Sequence, residues 1–261
     1  MSEILSIANR LVCTPGTSDH FAAHLNHLLA KSWTPGWEYD AFCLAGDAWG
    51  LDRIKARQRI ARAAVLVTLG DLTDDLADGD VPTDEVHLAP TALLHLSQVA
   101  SQWVAPELLA EACSAQHLEL TTKEWTLERY LEVAEGVASA QFEGYLRVLW
   151  AGSNIRNRAA TIGRSLGFAI HILTDAATTD PRLMTLPQSA QHVLVRQTIH
   201  NLDSLAWPRT GLGGVGRISA RLALHAKRSL GLRSTHCKAV TDSQHAMVKS
   251  GTDGKFSNPS T

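Results

Sequence analysis

The sequence predicts an all-α fold, one domain in which helices bundle around a core, and three observations carry that prediction. Apolar residues recur at helical spacing through nearly all of the first 230 residues, and period-2 alternation is almost absent. Prolines bound these stretches rather than interrupt them. A chain of 261 residues with 45% hydrophobic and 19% charged side chains can bury a sizeable core as a single domain. No repeat of 20 to 50 residues is visible.

Residues 3 to 13 and 19 to 31 read as helices split by Thr14-Pro15-Gly16, with Ser18 or Asp19 as the N-cap of the second. His20, His24 and His27 share one face of that helix; without a carboxylate or cysteine in the same turns they read as structural or solvated. Trp33 to Trp37 forms a turn, residues 40 to 78 form two helices broken near Gly46 to Gly50, and residues 82 to 90 form a proline-bounded loop. Helices are expected again at 91–101, 106–120, 126–151, 154–175 and 188–205, those from 126 to 175 being central. Gly211 to Gly216 fits GxGxxG, but no strand precedes it, so it reads as a flexible connection to a last helix at 217–231. The domain then spans residues 1–233. Residues 234–261, rich in Ser, Thr, Gly, Lys and Asn, read as a disordered tail.

A net charge of −2 and the lack of a basic stripe with interleaved aromatics argue against a nucleic-acid partner. Cys13, Cys43, Cys113 and Cys237 are scattered, with neither a CxxC pair nor a signal peptide, which fits reduced thiols in a cytoplasmic protein. No apolar run is long enough for an integral membrane segment.

One stretch stands out chemically. Ala61 to Leu69 carries a single charge, Arg62, and then Asp71, Asp74, Asp75 and Asp78 arrive within eight residues, followed by Asp80. On a helix the first four share a face at i, i+3, i+4 and i+7 and repel one another. A solvated helix end accounts for such a cluster as well as a cation site does. As a cation site it suits Mg²⁺, which takes one or two carboxylates together with substrate phosphates.

Asp74-Asp75-Leu76-Ala77-Asp78 resembles the first DDxxD motif of the all-trans isoprenyl diphosphate synthases, the polyprenyl synthetase family. Other segments match in order: Ala115 to Leu120 resembles the GQxxEL helix, Thr126 to Leu131 the segment before the Lys-Thr motif, Leu166 to Asp175 the LGxAFQIxDD stretch, and Thr185-Leu186-Pro187 the following TLP. The resemblance implies an isoprenoid synthase type bundle around a central apolar pocket, and a homodimer. It also implies Mg²⁺ at Asp74, Asp75, Asp78 and Asp175, with Asp71 as an outlying ligand, and ionisation of an allylic isoprenyl diphosphate. Asp74, Asp75 and Asp78 become the catalytic positions. Gly70, Gln116 and His171 become substrate-binding positions, Gly70 lying where the family places residues that limit pocket depth.

The departures matter as much. The second motif survives only as Thr174-Asp175-Ala176-Ala177-Thr178, with Thr178 and Asp180 as possible substitutes. The family's Gly-Lys-Arg, its arginine pair after the first motif and its Lys-Thr lysine correspond here to Thr34 to Glu38, Val81 to Glu85 and Val137. Each lost cation removes a phosphate contact of roughly 1.5 to 3 kcal/mol, so elongation with isopentenyl diphosphate is disfavoured. Arg156, Arg158 and Arg164 are either replacement diphosphate contacts or a solvated helix face. Terpene synthase chemistry on one substrate is therefore the leading expectation, with a chain-elongating prenyltransferase and a non-catalytic partner subunit as alternatives.

Overall fold

A computed structural model describes residues 2–33, 53–152 and 156–204, together with Arg228 and Leu230. Helices follow one another as α1 (Glu3–Val12), α2 (Asp19–Ser32), α3 (Arg53–Asp78), α4 (Ala89–Ala100), α5 (Pro106–Thr121), α6 (Leu127–Ala134), α7 (Ala140–Leu149), α8 (Arg156–Thr178), α9 (Pro181–Met184) and α10 (Gln188–Ser204). No strand occurs among the described residues, so the all-α expectation holds. The expected break near Gly46 to Gly50, the GxGxxG connection, the helix at 217–231 apart from Arg228 and Leu230, and the tail lie outside the described residues.

Local chemistry sets the boundaries. The Ser2 and Ser18 hydroxyls accept from the backbone N–H of Leu5 and Phe21, so Ser18 rather than Asp19 is the N-cap of α2. Thr126 caps α6 in the same way, and proline occupies the first turn of α4, α5 and α9.

The expected single helix at 126–151 is interrupted by a π turn, Glu135–Ser139, between α6 and α7. The extra residue in that turn shifts the facing of everything after it. Gly136 presses so closely on α5 that a Cβ there would lie 2.3 Å from the Cβ of Ala115. Across the π turn and α7 runs α8, where a Cβ on Gly167 would lie 2.2 Å from the Ala138 carbonyl oxygen. The Leu166-Gly167 step thus owes its glycine to backbone contact rather than to a turn.

The core is centred on α3, α7 and α8. The middle of α3, Ile60 to Val67 apart from Arg62, is buried on every side, and Ile60, Leu146, Leu166, Ile172 and Trp150 are almost entirely enclosed. Each such aliphatic side chain contributes on the order of 1.5 to 3 kcal/mol. Among the described residues no helix is long and apolar enough to cross a membrane.

Candidate functional site at the acidic end of α3

The last turns of α3 leave the core, and the four aspartates separate into two pairs there. Asp71 and Asp75, one helical turn apart, face α2. Lys31 Nζ donates to Asp75 Oδ2 at 2.5 Å, and the Ser32 hydroxyl bonds to Asp71. Asp74, with Asp78 one turn on, lies towards Arg182 and His171. Partial desolvation of this otherwise exposed side chain, then the Asp78 charge, push the Asp74 carboxyl up, opposed by Arg182 and, more weakly, His171. Asp71, Asp74 and Asp78 remain open to solvent and Asp75 is half-buried. The shared face expected from the sequence is therefore wide enough for two different surroundings.

Opposite Asp74, on α8, lies Asp175, only 6% exposed. Tyr130 Oη donates to Asp175 Oδ2 at 2.8 Å, and His171 Nε2, one turn earlier on α8, stands 3.5 Å from the same oxygen. Burial pushes Asp175 up to about 7, with the Asp180 and Asp74 charges adding to the rise and the Tyr130 hydrogen bond opposing it. The same burial holds His171 below the usual imidazole range, although Asp180 and Asp74 pull it upward. Tyr130, between Asp175 and the Trp125 ring, is pushed far above the phenol range, so it stays a donor.

The groups expected to complete the second motif are otherwise engaged. Thr178 Oγ1 donates to the Thr174 carbonyl. Asp180 caps α9 by accepting from the Arg182 backbone N–H at 2.8 Å, and both its oxygens take up the Arg182 guanidinium at 2.9 Å. Arg182 pairs in addition with Glu119. Asp180, the possible substitute carboxylate, is thus held in an ionic lock with Arg182 and Glu119.

Below this rim, between α3, α4, α5 and α7, is a mostly apolar cavity of about 260 Å³. On α3 its wall is Leu66, Leu69, Gly70 and Thr73, so it ends one residue short of Asp74. Gln116 lines it from α5, with its amide donating to Glu119 at 2.9 Å, which ties the cavity wall to the Arg182 lock. Gly70 faces α7, where an added Cβ would lie 3.2 Å from Tyr145 Oη and 3.3 Å from Gln141 Oε1.

The basic residues on α8 are elsewhere. Arg164 lies eleven residues before Asp175, ~16 Å along the helix, and is fully committed: both terminal nitrogens bond Glu111, at 2.8 and 2.5 Å, and Nε bonds Glu143 at 2.5 Å. Arg164 therefore braces α5, α7 and α8, which corrects its assignment as a diphosphate contact. Arg158 is exposed near the start of α8, and Arg156 opens that helix with its side chain outside the described residues. Lys31, Tyr130 and Arg182 were not identified from the sequence. Each acts on a residue 44 or 45 positions away or through a cap, and no local spacing signals such pairs.

Among the described residues no three His, Cys, Asp or Glu side chains gather closely enough to hold a metal by themselves. The donor set, hard carboxylate oxygens with Asp74 and Asp78 left mutually repelling, fits a magnesium ion shared with a phosphorylated ligand rather than one caged by protein.

No family model matches this chain, and no curated protein matches it in sequence. In three dimensions it is similar to a geranylgeranyl pyrophosphate synthase, with a TM-score of 0.51 at 12% identity over 96% of this chain and 91% of that one. At that identity the likeness is one of fold: the chain has an isoprenoid synthase-like helical fold.

Proposed function

We propose that this chain binds one allylic isoprenyl diphosphate, hydrocarbon in the cavity and diphosphate at the acidic rim, and expels the diphosphate without isopentenyl diphosphate, as terpene synthases do. The observation that carries this reading is the junction on α3, where an uncharged cavity wall passes into Asp74 within one residue, opposite Asp175. Asp74 and Asp78, with Asp175 across from them, are the residues that would hold Mg²⁺, which supplies the charge stabilisation that a departing diphosphate needs. The apolar walls hold the chain and exclude water from the cationic carbon left behind. Tyr130, donating to Asp175 Oδ2, holds that carboxyl in a fixed orientation across from Asp74. The homodimer expected from the family belongs to the same proposal.

Two observations favour a second reading, a partner subunit without turnover. Lys31 already neutralises Asp75, and Arg182 already occupies Asp180. Prenyl transfer is the third reading; Arg164, committed to glutamates, does not replace the lost second-substrate contacts.

Incubating the protein and Mg²⁺ with geranyl, farnesyl and geranylgeranyl diphosphates, each with and without isopentenyl diphosphate, decides among them. Diphosphate release without isopentenyl diphosphate is the expected result. A lengthened diphosphate supports transfer, and no product from folded protein supports the subunit.

A further inference from the structure

The opposite end of α3 has a charge pattern of its own. Arg53, Lys55, Arg57, Arg59 and Arg62 fall within its first ten residues, and no acid accompanies them. Residues 54, 57, 58 and 62 form one stripe, which lies against Glu3, Ile7 and Arg10 of α1 to make a groove of about 430 Å³. Three guanidinium groups enter this groove against one carboxylate. Arg10 is exposed, and Arg57 Nη1 reaches Glu3 Oε1 at 2.9 Å. Arg62 lies under the groove with its guanidinium 5.4 Å from the centre of the Trp103 ring, and its enclosed Nε has no hydrogen-bond partner among the described residues.

Several physical terms oppose this arrangement. Cations in the first turns of a helix oppose its dipole. Crowding is also felt inside the cluster, since Arg59 is held below its ordinary range by burial and then by the Arg62 charge. Among the described residues Glu3 is the only acid lining the groove, and Arg57 already uses it. An anion with several acceptor oxygens would bridge Arg10 and Arg62 where both line the groove, and guanidinium groups suit phosphate geometry. Ile7 and the 63% exposed Ile54 give the groove an apolar edge for a short carbon arm.

We infer that the groove between α1 and α3 is an anion site for a phosphate ester, separate from the acidic rim and held by Arg10, Arg57 and Arg62. The ester can be a soluble metabolite or a lipid headgroup; both present the same oxygens on a carbon arm.

The test uses the full chain. Titration calorimetry with glycerol 3-phosphate reads the soluble source, and flotation with phosphatidylglycerol against phosphatidylcholine vesicles reads the headgroup. Binding is expected to saturate for at least one probe, to weaken with added salt, and to weaken about tenfold for each guanidinium removed in Arg10→Gln and Arg10→Gln/Arg57→Gln. Arg10→Lys/Arg57→Lys retains most of it, because the point charges remain. Arg10 is exposed, so Arg10→Glu leaves the helical circular dichroism intact while abolishing binding. Saturation by neither probe, or equal binding by wild type and Arg10→Glu, overturns the site.

Discussion

The two ends of α3 make a controlled comparison, because one continuous helix of 26 residues carries both. Its first ten residues hold five cations and no acid, its last eight hold four acids and no cation, and residues 63 to 70 between them are uncharged. A helix favours the reverse order, acids where the N-terminal dipole is positive and bases where the C-terminal dipole is negative. Each end is therefore charged against the helix that bears it. What differs is the remedy found nearby. At the acidic end Lys31, Ser32 and Arg182 answer part of the charge and leave Asp74 beside Asp78. At the basic end, among the described residues, Glu3 pairs with Arg57 and Arg62 leans on an aromatic ring. Uncompensated charge on an otherwise apolar scaffold marks where ligands of opposite sign are expected, and the two ends call for opposite ligands.

The comparison is broken most directly at the acidic end. Asp74→Asn/Asp78→Asn is expected to lower diphosphate release by about 10³-fold or more, since charge-stabilising groups of this kind are typically worth 10² to 10³ each. The same substitution leaves thermal stability equal or slightly higher, because like charges one turn apart cost ~0.2 to 0.5 kcal/mol. An unchanged release rate would remove the acidic end from the chemistry.

Gly70→Leu drives a side chain towards Tyr145 and Gln141 across the cavity. Turnover of geranylgeranyl diphosphate should fall ~10- to 100-fold relative to geranyl diphosphate, measured as a ratio of kcat/KM values. Equal loss on both would show that the hydrocarbon lies elsewhere.

A third test concerns Asp175. Its folded carboxyl sits at about 7, against ~3.9 in an unfolded chain. Between those values the folded state binds the extra proton, so stability is fullest at the acid end of that window and declines as pH rises towards 7, by up to ~1.4 kcal/mol per unit. The shifts of Asp71 and Asp74 have the same sign. Asp175→Asn should flatten the slope in denaturant titrations across this range, and a slope as steep as wild type would place the excess proton on another group.

The smallest effect belongs to the basic end. Lys55→Glu puts an acid in the first turn of α3, where the dipole welcomes it, and should raise stability by ~0.3 to 1 kcal/mol, read as a higher melting temperature. A decrease would mean that Lys55 has a structural partner at this end.

Much of this was legible in the linear chain. Helical periodicity announced α1, α2, α5, α8 and α10 to within a few residues, and Ser18 sat where a cap belongs. The aspartate run pointed to the acidic end of α3. The π turn was not visible, because residues 126 to 151 keep a helical apolar pattern through it and only packing against Ala115 and α8 shows the altered register. Nor was the basic groove: a net charge of −2 averages away five cations and four acids at opposite ends of one helix.

The chain alone determined that this protein is helical and that one helix is charged at its ends and apolar between, since propensity and periodicity are local properties that need no neighbour. Tertiary structure decided which charges are spent. Asp75 meets Lys31 across 44 residues and Asp175 meets Tyr130 across 45, while Arg164, a plausible phosphate contact in one dimension, is used to brace three helices. The reason is physical: a charged side chain takes its protonation and its availability from whatever the fold places within a few ångströms of it, and sequence separation carries no record of that distance.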